Sequence, residues 1–278
     1  MRRRRSAAKA LLGRVSGYEV ARAAGRGLTV RDDDVFLVSY PRSGNTWMRF
    51  LIHNLLHAEE PASFTNIDRG IPGIYRHTDR ALRRLPGLRI LKSHERFDPR
   101  YKKVIYIARD PRDVLISYYH YHLKLGRINE NYSLDEYAPQ FVAGELDSFG
   151  SWGENAGSWL EARRGSEGFL LLRYEDLLKH PEHELDKVAS LLQANVPDEQ
   201  LARAVSLSSA ERMRVLEKEG SWKAMKNTRI DKAFVRSARE GVWKHELPTA
   251  SAAKVEAAWG GLMRELGYLL SERGRAAG

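Results

Sequence analysis

Val35-Phe-Leu-Val-Ser-Tyr-Pro-Arg-Ser-Gly-Asn-Thr-Trp47 is the most informative stretch of the chain. Its first five residues predict a buried strand, and the apolar periodicity of residues 45–56 predicts a helix directly after it. Arg42, Ser43 and Gly44 lie in the turn between them, where glycine lets backbone amides approach a ligand and the helix N-terminus adds partial positive charge. Such a turn suits a phosphate or sulfate group. Taken alone, the segment also fits an ordinary polar turn.

Short apolar runs alternate with segments of helical period along the rest of the chain. Strands are predicted at residues 88–92, 103–108 and 168–173, helices at residues 111–125, 151–163, 182–192 and 250–266, and a loop at residues 242–248. Strands that alternate with helices predict an α/β fold, a single domain with a central parallel sheet flanked by helices. We expect this domain to cover residues 31–278, after a basic N-terminal segment at residues 1–30.

The chain has 278 residues, with 46 Lys and Arg against 36 Asp and Glu, and it contains no Cys. The missing cysteine excludes a disulfide scaffold, a thiolate nucleophile and Cys-ligated metal sites, and it is compatible with a reducing compartment. We expect a cytoplasmic location. The sequence has no run of about 18 apolar residues that would predict a membrane span. Lys9, Arg14 and Glu19 interrupt the apolar stretch that a secretory signal needs.

The positive charge is concentrated at the N-terminus. Residues 1–30 contain eight Lys and Arg against one Glu, so we expect no specific nucleic-acid partner for the rest of the chain. Residues 6–25 predict either a basic amphipathic helix that contacts an anionic membrane or a helix that packs on the domain. A polyanion-binding module built on this tail is one alternative function.

A second candidate anion site follows the strand predicted at residues 103–108. Ligands of parallel sheets bind beyond the carboxyl ends of the strands, where Arg109 stands. Ser117 lies about two helical turns later, so both residues reach one phosphate only if the ligand runs alongside that helix. Pairing of Arg109 with Asp113 is the alternative. The Walker A pattern is absent, which disfavours the other alternative function, a P-loop kinase that uses ATP.

Five segments resemble, in order, the sulfotransferases that use 3′-phosphoadenosine 5′-phosphosulfate (PAPS). These segments are YPRSGNTW at 40–47 for the 5′-phosphosulfate loop, LKSH at 91–94 for the catalytic histidine, VIYIARDPRDVLISYYHYH at 104–122 for the 3′-phosphate element, LRYED at 172–176 near the adenine, and FVRSAREGVWK at 234–244 for the late phosphate element. The resemblance implies sulfuryl transfer from PAPS to a hydroxyl or amine, with 3′-phosphoadenosine 5′-phosphate (PAP) as product and no metal.

The resemblance also implies a role for each matching residue. His94 is the general base, and Lys92 and Arg42 complete the catalytic set. The residues expected to bind the nucleotide are Arg42, Ser43, Gly44, Asn45, Thr46 and Trp47 in the first loop, Arg109, Ser117 and Arg236 at the 3′-phosphate, Tyr174 at the adenine, and Ser208, Ser237 and Ala238 in the later elements.

Several positions depart from the family pattern. Arg42 replaces the lysine of the cytosolic enzymes and, unlike lysine, cannot hand a proton to the leaving oxygen. Ser237 and Ala238 replace Lys and Gly, which removes a phosphate contact, and Ala210 replaces an aromatic residue that would cover the adenine. Pro248 interrupts the family's dimer motif, so that dimer is not predicted and the oligomeric state stays open.

The acceptor is expected to contact residues 60–87 and 124–150, the connections that follow the anion loops. The first connection is more basic than aromatic, with Arg69, Tyr75, Arg76, His77, Arg80, Arg83 and Arg84. This composition favours a polar or anionic acceptor, whether a small molecule, a glycan or a glycolipid. His53 and His57 have the i, i+4 spacing of zinc ligands but lack the glutamate of H-E-x-x-H, so we interpret them as a solvated helix face.

Overall fold

The computed structural model describes residues 27–219 and 227–271. At its centre is a four-stranded sheet made of β1 (Val35–Ser39), β2 (Ile90–Ser93), β3 (Lys103–Ala108) and β4 (Phe169–Arg173), in the order β2-β1-β3-β4. All three pairings are parallel. The predicted α/β fold with a central parallel sheet is therefore confirmed. The helix predicted at residues 6–25 lies outside the described residues, as does most of the basic N-terminal segment.

The helices of the described residues follow the predicted alternation. They are α1 (Asn45–Leu56), α2 (Ile67–Gly70), α3 (Asp79–Leu82), α4 (Pro111–Lys124), α5 (Leu134–Ala143), α6 (Trp152–Arg163), α7 (Tyr174–Lys179), α8 (Pro181–Leu191), α9 (Asp198–Leu207), α10 (Ala210–Glu219), α11 (Trp243–Glu246) and α12 (Thr249–Glu265). Each of the five helices predicted from periodicity begins and ends within one residue of its observed bounds. Among the described helices, none has the length and apolar character needed to span a bilayer.

Two predicted boundaries are wrong. The strand predicted at residues 88–92 starts at Ile90, because Leu88 is 45% exposed and the Arg89 guanidinium is buried in an ion pair with Asp34. The loop predicted at residues 242–248 contains α11, a single helical turn closed by hydrogen bonds from the Glu246 and Leu247 amides to the carbonyls of residues 242 and 243.

The alternating side chains of β1 pack into two apolar layers, one on each face of the sheet. Phe36 and Val38 join the layer that contains residues of α4, α5, α6 and α12, whereas Val35 and Leu37 join the layer that contains residues of α1, α8 and α9. Both faces are thus covered, as expected for a parallel sheet. The open edge that remains is the one where the strands end and α1, α4 and α7 begin.

The helices at this edge start in two different ways. In α4 the Asp110 carboxylate accepts a hydrogen bond from the Arg112 amide, and Pro111 occupies the first turn, where its missing N–H is harmless. In α1 the N-cap residue is Gly44, and no side chain caps the helix. The first amides of α1 are therefore available to a ligand.

Candidate active site

A cavity of about 240 Å³ opens at the carboxyl edge of the sheet. Most of the residues predicted to form the site line it: Arg42, Gly44, Asn45, Thr46, Trp47, Lys92, His94, Arg109, Ser117, Tyr174, Arg236, Ser237 and Ala238. Two predicted residues do not line the cavity, Ser43 and Ser208, and both are fully buried. The structure thus brings together five segments that are far apart in the sequence.

The loop between β1 and α1 has the backbone of an anion-binding turn. Arg42 has a φ of 68° and Gly44 a φ of 99°, both in the left-handed region. At Gly44 a side chain would also collide with the Tyr174 ring, because a Cβ built there lies 2.7 Å from Cδ2. Only glycine fits both constraints. Together with the uncapped start of α1, this conformation presents a group of backbone N–H donors to the cavity.

Three buried polar atoms in and beside this loop lack a hydrogen-bond partner among the described residues. These atoms are Ser43 Oγ, Asn45 Oδ1 and Arg109 Nε. An unpaired buried donor or acceptor is costly, and such atoms mark places that a ligand or water completes. Donors dominate the set, since the hydroxyl and the guanidinium both donate. The site therefore fits an anionic group.

Arg42 and Ser117 meet across the cavity. Arg42 Nε donates to Ser117 Oγ at 3.2 Å, and the guanidinium lies 4.6 Å from the ring centroids of both Tyr121 and Phe234. Arg109 lies on the other side of the loop, where its Nη1 donates to the Arg42 carbonyl at 3.1 Å and its guanidinium covers the Tyr174 ring at 4.2 Å. Two cations and one hydroxyl thus frame one end of the cavity.

Arg109 does not pair with Asp113, the alternative that the sequence left open. The Asp113 carboxylate instead accepts hydrogen bonds from the Gly241 amide at 2.7 Å and the Trp243 amide at 2.9 Å. These bonds anchor the segment at residues 236–243 to α4. This segment contains Arg236, Ser237 and Ala238. Among the described residues, Arg109 has two backbone carbonyls as partners and no carboxylate within hydrogen-bond distance.

Arg236 projects from the anchored segment toward α11. Its Nη1 forms an ion pair of 2.8 Å with Glu246, whose other oxygen lies 3.2 Å from His120 Nε2. A phosphate bound between Arg109 and Arg236 would compete with Glu246 for this guanidinium.

His94 lies at the end of β2 with its ring fixed in one tautomer. Its Nδ1 is 2.7 Å from the Ser39 carbonyl oxygen, which can only accept, so Nδ1 carries the proton. The lone pair is then on Nε2. The backbone is held as well, because the His94 amide donates to the Tyr75 hydroxyl at 2.8 Å and the Asn155 amide group donates to the His94 carbonyl at 2.9 Å. This geometry suits a proton acceptor.

The electrostatics keep this imidazole neutral. Burial, followed by the charge of Lys92, lowers the pKa of His94 well below its ordinary value, and Arg49 and Arg42 lower it further. Burial also lowers the pKa of Lys92 well below its ordinary value, with Arg49 and Arg76 adding to the effect. An anion in the cavity would raise both pKa values again.

The far end of the cavity is formed by both connections that the sequence predicted to border the acceptor. Arg76 comes from the first connection, and Arg127, Asp147 and Phe149 come from the second. The Phe149 ring packs edge-on against the His94 ring, with centroids 5.3 Å apart. The other basic residues named in the first connection do not line the cavity, namely Arg69, His77, Arg80, Arg83 and Arg84.

Sequence reasoning missed Asn155, Arg127 and Asp147. Asn155 lies on α6, remote from every motif, and its side chain links His94 to the Tyr106 hydroxyl. Arg127 and Asp147 come from the connection that was expected near the acceptor, so their region was predicted although neither residue was singled out. No spacing signal distinguishes them from other charged residues in loops.

Ser208 and Trp47 are joined in a contact that supports the cavity wall. The Trp47 indole N–H donates to the Ser208 carbonyl at 3.0 Å, and Ser208 Oγ accepts from the Asn54 side chain at 2.9 Å. Trp47 also packs edge-on against Tyr174, with centroids 5.8 Å apart. Ser208 therefore holds the aromatic wall from behind.

The interpretation of His53 and His57 as a solvated face is wrong for His53. Its ring is buried under the segment at residues 60–70, and Nε2 donates to the Glu60 carbonyl at 2.9 Å. Gly70 packs so closely that a Cβ there would lie 2.4 Å from the ring. Within residues 27–219 and 227–271, no group of three or more metal-ligating side chains is placed to hold an ion.

Comparison with known proteins agrees with this geometry. The family model of the sulfotransferase domain matches residues 32–267. The mouse protein sulfotransferase 1 family member D1 is 30% identical over 246 residues, which cover 81% of this chain and 82% of the relative. Human sulfotransferase 2B1 is 28% identical over 248 residues, covering 84% of this chain and 67% of the relative.

Two solved structures share the fold. Mouse sulfotransferase SULT7A1 complexed with PAP has a TM-score of 0.71 at 24% identity, covering 93% of this chain and 92% of that structure. Retinol dehydratase in complex with androsterone and PAP has a TM-score of 0.75 at 19% identity, covering 89% and 86%. The chain belongs to the sulfotransferase family.

Proposed function

We propose that this protein transfers a sulfuryl group from PAPS to a hydroxyl or amine of an acceptor, with His94 as general base. The observation that carries the proposal is the uncapped start of α1 behind Gly44, with the unpartnered Ser43 Oγ and Arg109 Nε beside it. These groups form a donor-rich site for a phosphosulfate. Arg109 and Arg236 supply cations for a second anionic group, the 3′-phosphate.

PAPS supplies an activated sulfuryl group, which moves to the acceptor oxygen or nitrogen as its bond to the phosphate oxygen breaks. Positioning and charge neutralisation dominate such in-line transfers. The amides of residues 43–46 and the Arg42 guanidinium would stabilise the charge that develops on the leaving phosphate. Because an arginine at this position stays protonated, Arg42 acts by its charge and hydrogen bonds rather than as an acid.

His94 would take the proton of the acceptor at Nε2. The Nδ1 hydrogen bond to the Ser39 carbonyl fixes the required tautomer, and the lowered pKa keeps the ring neutral at pH 7. Lys92, next but one in the chain, would contribute positive charge at the sulfuryl group, because a bound anion favours its charged form.

The proposal also covers the class of acceptor and the cellular location. The cavity wall near His94 combines aromatic rings with charged groups, which supports a polar small molecule, a glycan or a glycolipid as acceptor. The cytoplasmic location that we propose rests on the cysteine-free sequence alone.

The direct test is incubation with sulfur-labelled PAPS and a panel of alcohols, phenols, amines and oligosaccharides. Label in an acceptor together with formation of PAP supports the proposal. A parallel reaction with γ-labelled ATP and Mg²⁺ tests the kinase alternative, which has no Walker lysine to support it. Label transferred only from ATP would replace the proposal with that alternative.

A further inference from the structure

The lining of the cavity holds one carboxylate among many cations. Of the residues that the structure describes, six basic ones line the cavity: Arg42, Arg76, Lys92, Arg109, Arg127 and Arg236. Among the described residues that line it, Asp147 is the single acidic one. The cations are explained by an anionic donor. The carboxylate is not, because it would repel PAPS.

The two oxygens of Asp147 are in different situations. Oδ1 accepts a hydrogen bond of 2.7 Å from the Phe149 amide, which closes a tight turn. Within the part of the chain that the structure describes, no group donates to Oδ2 and no cation pairs with the carboxylate. Burial raises the pKa of Asp147 to about 7, against the lowering effect of the Phe149 amide. Asp147 is thus a half-buried carboxylate that lines the cavity and has one oxygen open to a hydrogen-bond donor on a ligand.

The turn also keeps Asp147 close to His94. Phe149 contacts both His94 and Tyr75, with ring centroids 5.3 Å and 5.1 Å apart. Asp147 is two residues away, so its Cα lies at most about 7 Å from that of Phe149. Since His94 and Asp147 line the same cavity, an acceptor whose reacting hydroxyl reaches His94 can contact Asp147 with a second polar group.

We propose that Asp147 is a specificity-determining residue that binds a second hydrogen-bond donor, a hydroxyl or an ammonium, on the acceptor molecule. The preferred acceptors are then diols, polyols or amino alcohols rather than molecules with one polar group. This inference rests on the proposed function, since it assumes that the acceptor occupies the end of the cavity beside His94.

The test measures binding rather than turnover, so that it does not depend on the proposed chemistry. Calorimetric titration of the protein saturated with PAP would compare cyclohexanol with its 1,2- and 1,4-diols and with 4-aminocyclohexanol. The diols test a neutral donor and the amino alcohol a charged one. We expect at least one of these compounds to bind about tenfold more tightly than cyclohexanol at pH 8, where Asp147 is ionised, because hydrogen bonds to charged groups are strong.

Asp147→Asn provides the matched variant, because its amide oxygen still accepts the Phe149 hydrogen bond while the open oxygen becomes a donor. It should abolish the preference and leave the affinity for cyclohexanol within about threefold. Glu145→Gln, an exposed change in the same connection, should keep the preference. Equal affinities for all compounds in the wild type, including no measurable binding, or a preference that survives Asp147→Asn, would overturn the inference. Failure of PAP itself to bind would instead count against the proposed function.

Discussion

His94 is the side chain with the most restrictive environment in the cavity. One nitrogen is committed to the Ser39 carbonyl, and the ring is held between Phe149 and Tyr75. Burial also lowers the pKa of His53 and His122, so what distinguishes His94 is that it lines the cavity while a carbonyl holds its Nδ1. The fixed tautomer and the lowered pKa are useful to a base that must be neutral and correctly aimed at pH 7.

His94→Gln should therefore lower kcat by about 10²-fold or more with an alcohol acceptor, because general bases typically contribute 10²–10⁴-fold. Its affinity for PAP should change by less than about threefold, since the ring faces the acceptor. Steady-state kinetics and calorimetric titration measure the two quantities. His77→Gln, in the first acceptor connection but outside the cavity lining, is the control. Near-normal turnover by folded His94→Gln enzyme would refute the assignment.

The sequence predicted His94 as the base because its Lys-Ser-His segment resembles that of the family and stands at the end of a predicted strand. It could not reveal what holds this side chain. The Ser39 carbonyl and the Asn155 amide reach His94 only after the sheet and α6 have packed, and neither contact leaves a trace in the spacing of residues. Asp147 was missed for the same reason, since a carboxylate in a loop is usually solvated.

Secondary-structure elements explain how distant residues converge on one ligand. The start of α1 was predicted to the residue because Gly44 and the apolar periodicity agree. The segment at residues 234–244 has no regular structure before α11, and its position depends on α4. Asp113 supplies that link through two amide hydrogen bonds, although the sequence suggested Arg109 as its partner.

Asp113→Asn should loosen this link, because an amide side chain has only one accepting oxygen in place of two. We expect PAP affinity to fall about tenfold, in line with the loss of one hydrogen bond to a charged group, while the affinity for adenosine 5′-phosphate stays nearly constant. Titration calorimetry measures both. Asp231→Asn, an exposed ion-pair residue before the same segment, serves as control. An equal loss for both nucleotides would show that the link does not act through the 3′-phosphate.

The molecule as a whole buries several titratable groups in neutral form, and this has a consequence for its stability. Burial lowers the pKa of His122 to about 3, with Arg127 and Arg42 adding to the effect. In the unfolded chain a histidine has a pKa of about 6.5. Below that pH the unfolded state binds a proton that the folded state does not, so the free energy of unfolding decreases as the pH falls.

At pH 5 this single histidine should reduce the free energy of unfolding by about 2 kcal/mol relative to pH 7.5. His94, whose pKa is also lowered, adds to the loss in the same direction. Urea unfolding at the two pH values measures the difference. His122→Gln should show a smaller decrease than the wild type, and the exposed His183→Gln the same decrease. Equal stability of the wild type at both pH values would contradict the buried neutral histidines.

The fold class followed from the alternation of strands and helices, but the shape of the cavity did not. That shape depends on two long connections that run over the edge of the sheet, and their course is set by contacts such as those of Phe149 and Tyr75 with His94. The basic composition of residues 60–87 suggested a site for a polar or anionic acceptor. Of the basic residues in this connection only Arg76 lines the cavity, and the other arginines are exposed outside it.

The central claim is that the cavity binds one nucleotide through two separate anionic groups. Calorimetric titration with PAP and with adenosine 5′-phosphate, on the wild type and Arg109→Ala, tests it most directly. We predict that PAP binds the wild type at least about tenfold more tightly than adenosine 5′-phosphate does, and that Arg109→Ala removes most of this difference, since a charge-assisted contact contributes roughly 1.5–3 kcal/mol. Equal affinities of the two nucleotides for the wild-type protein would contradict the account.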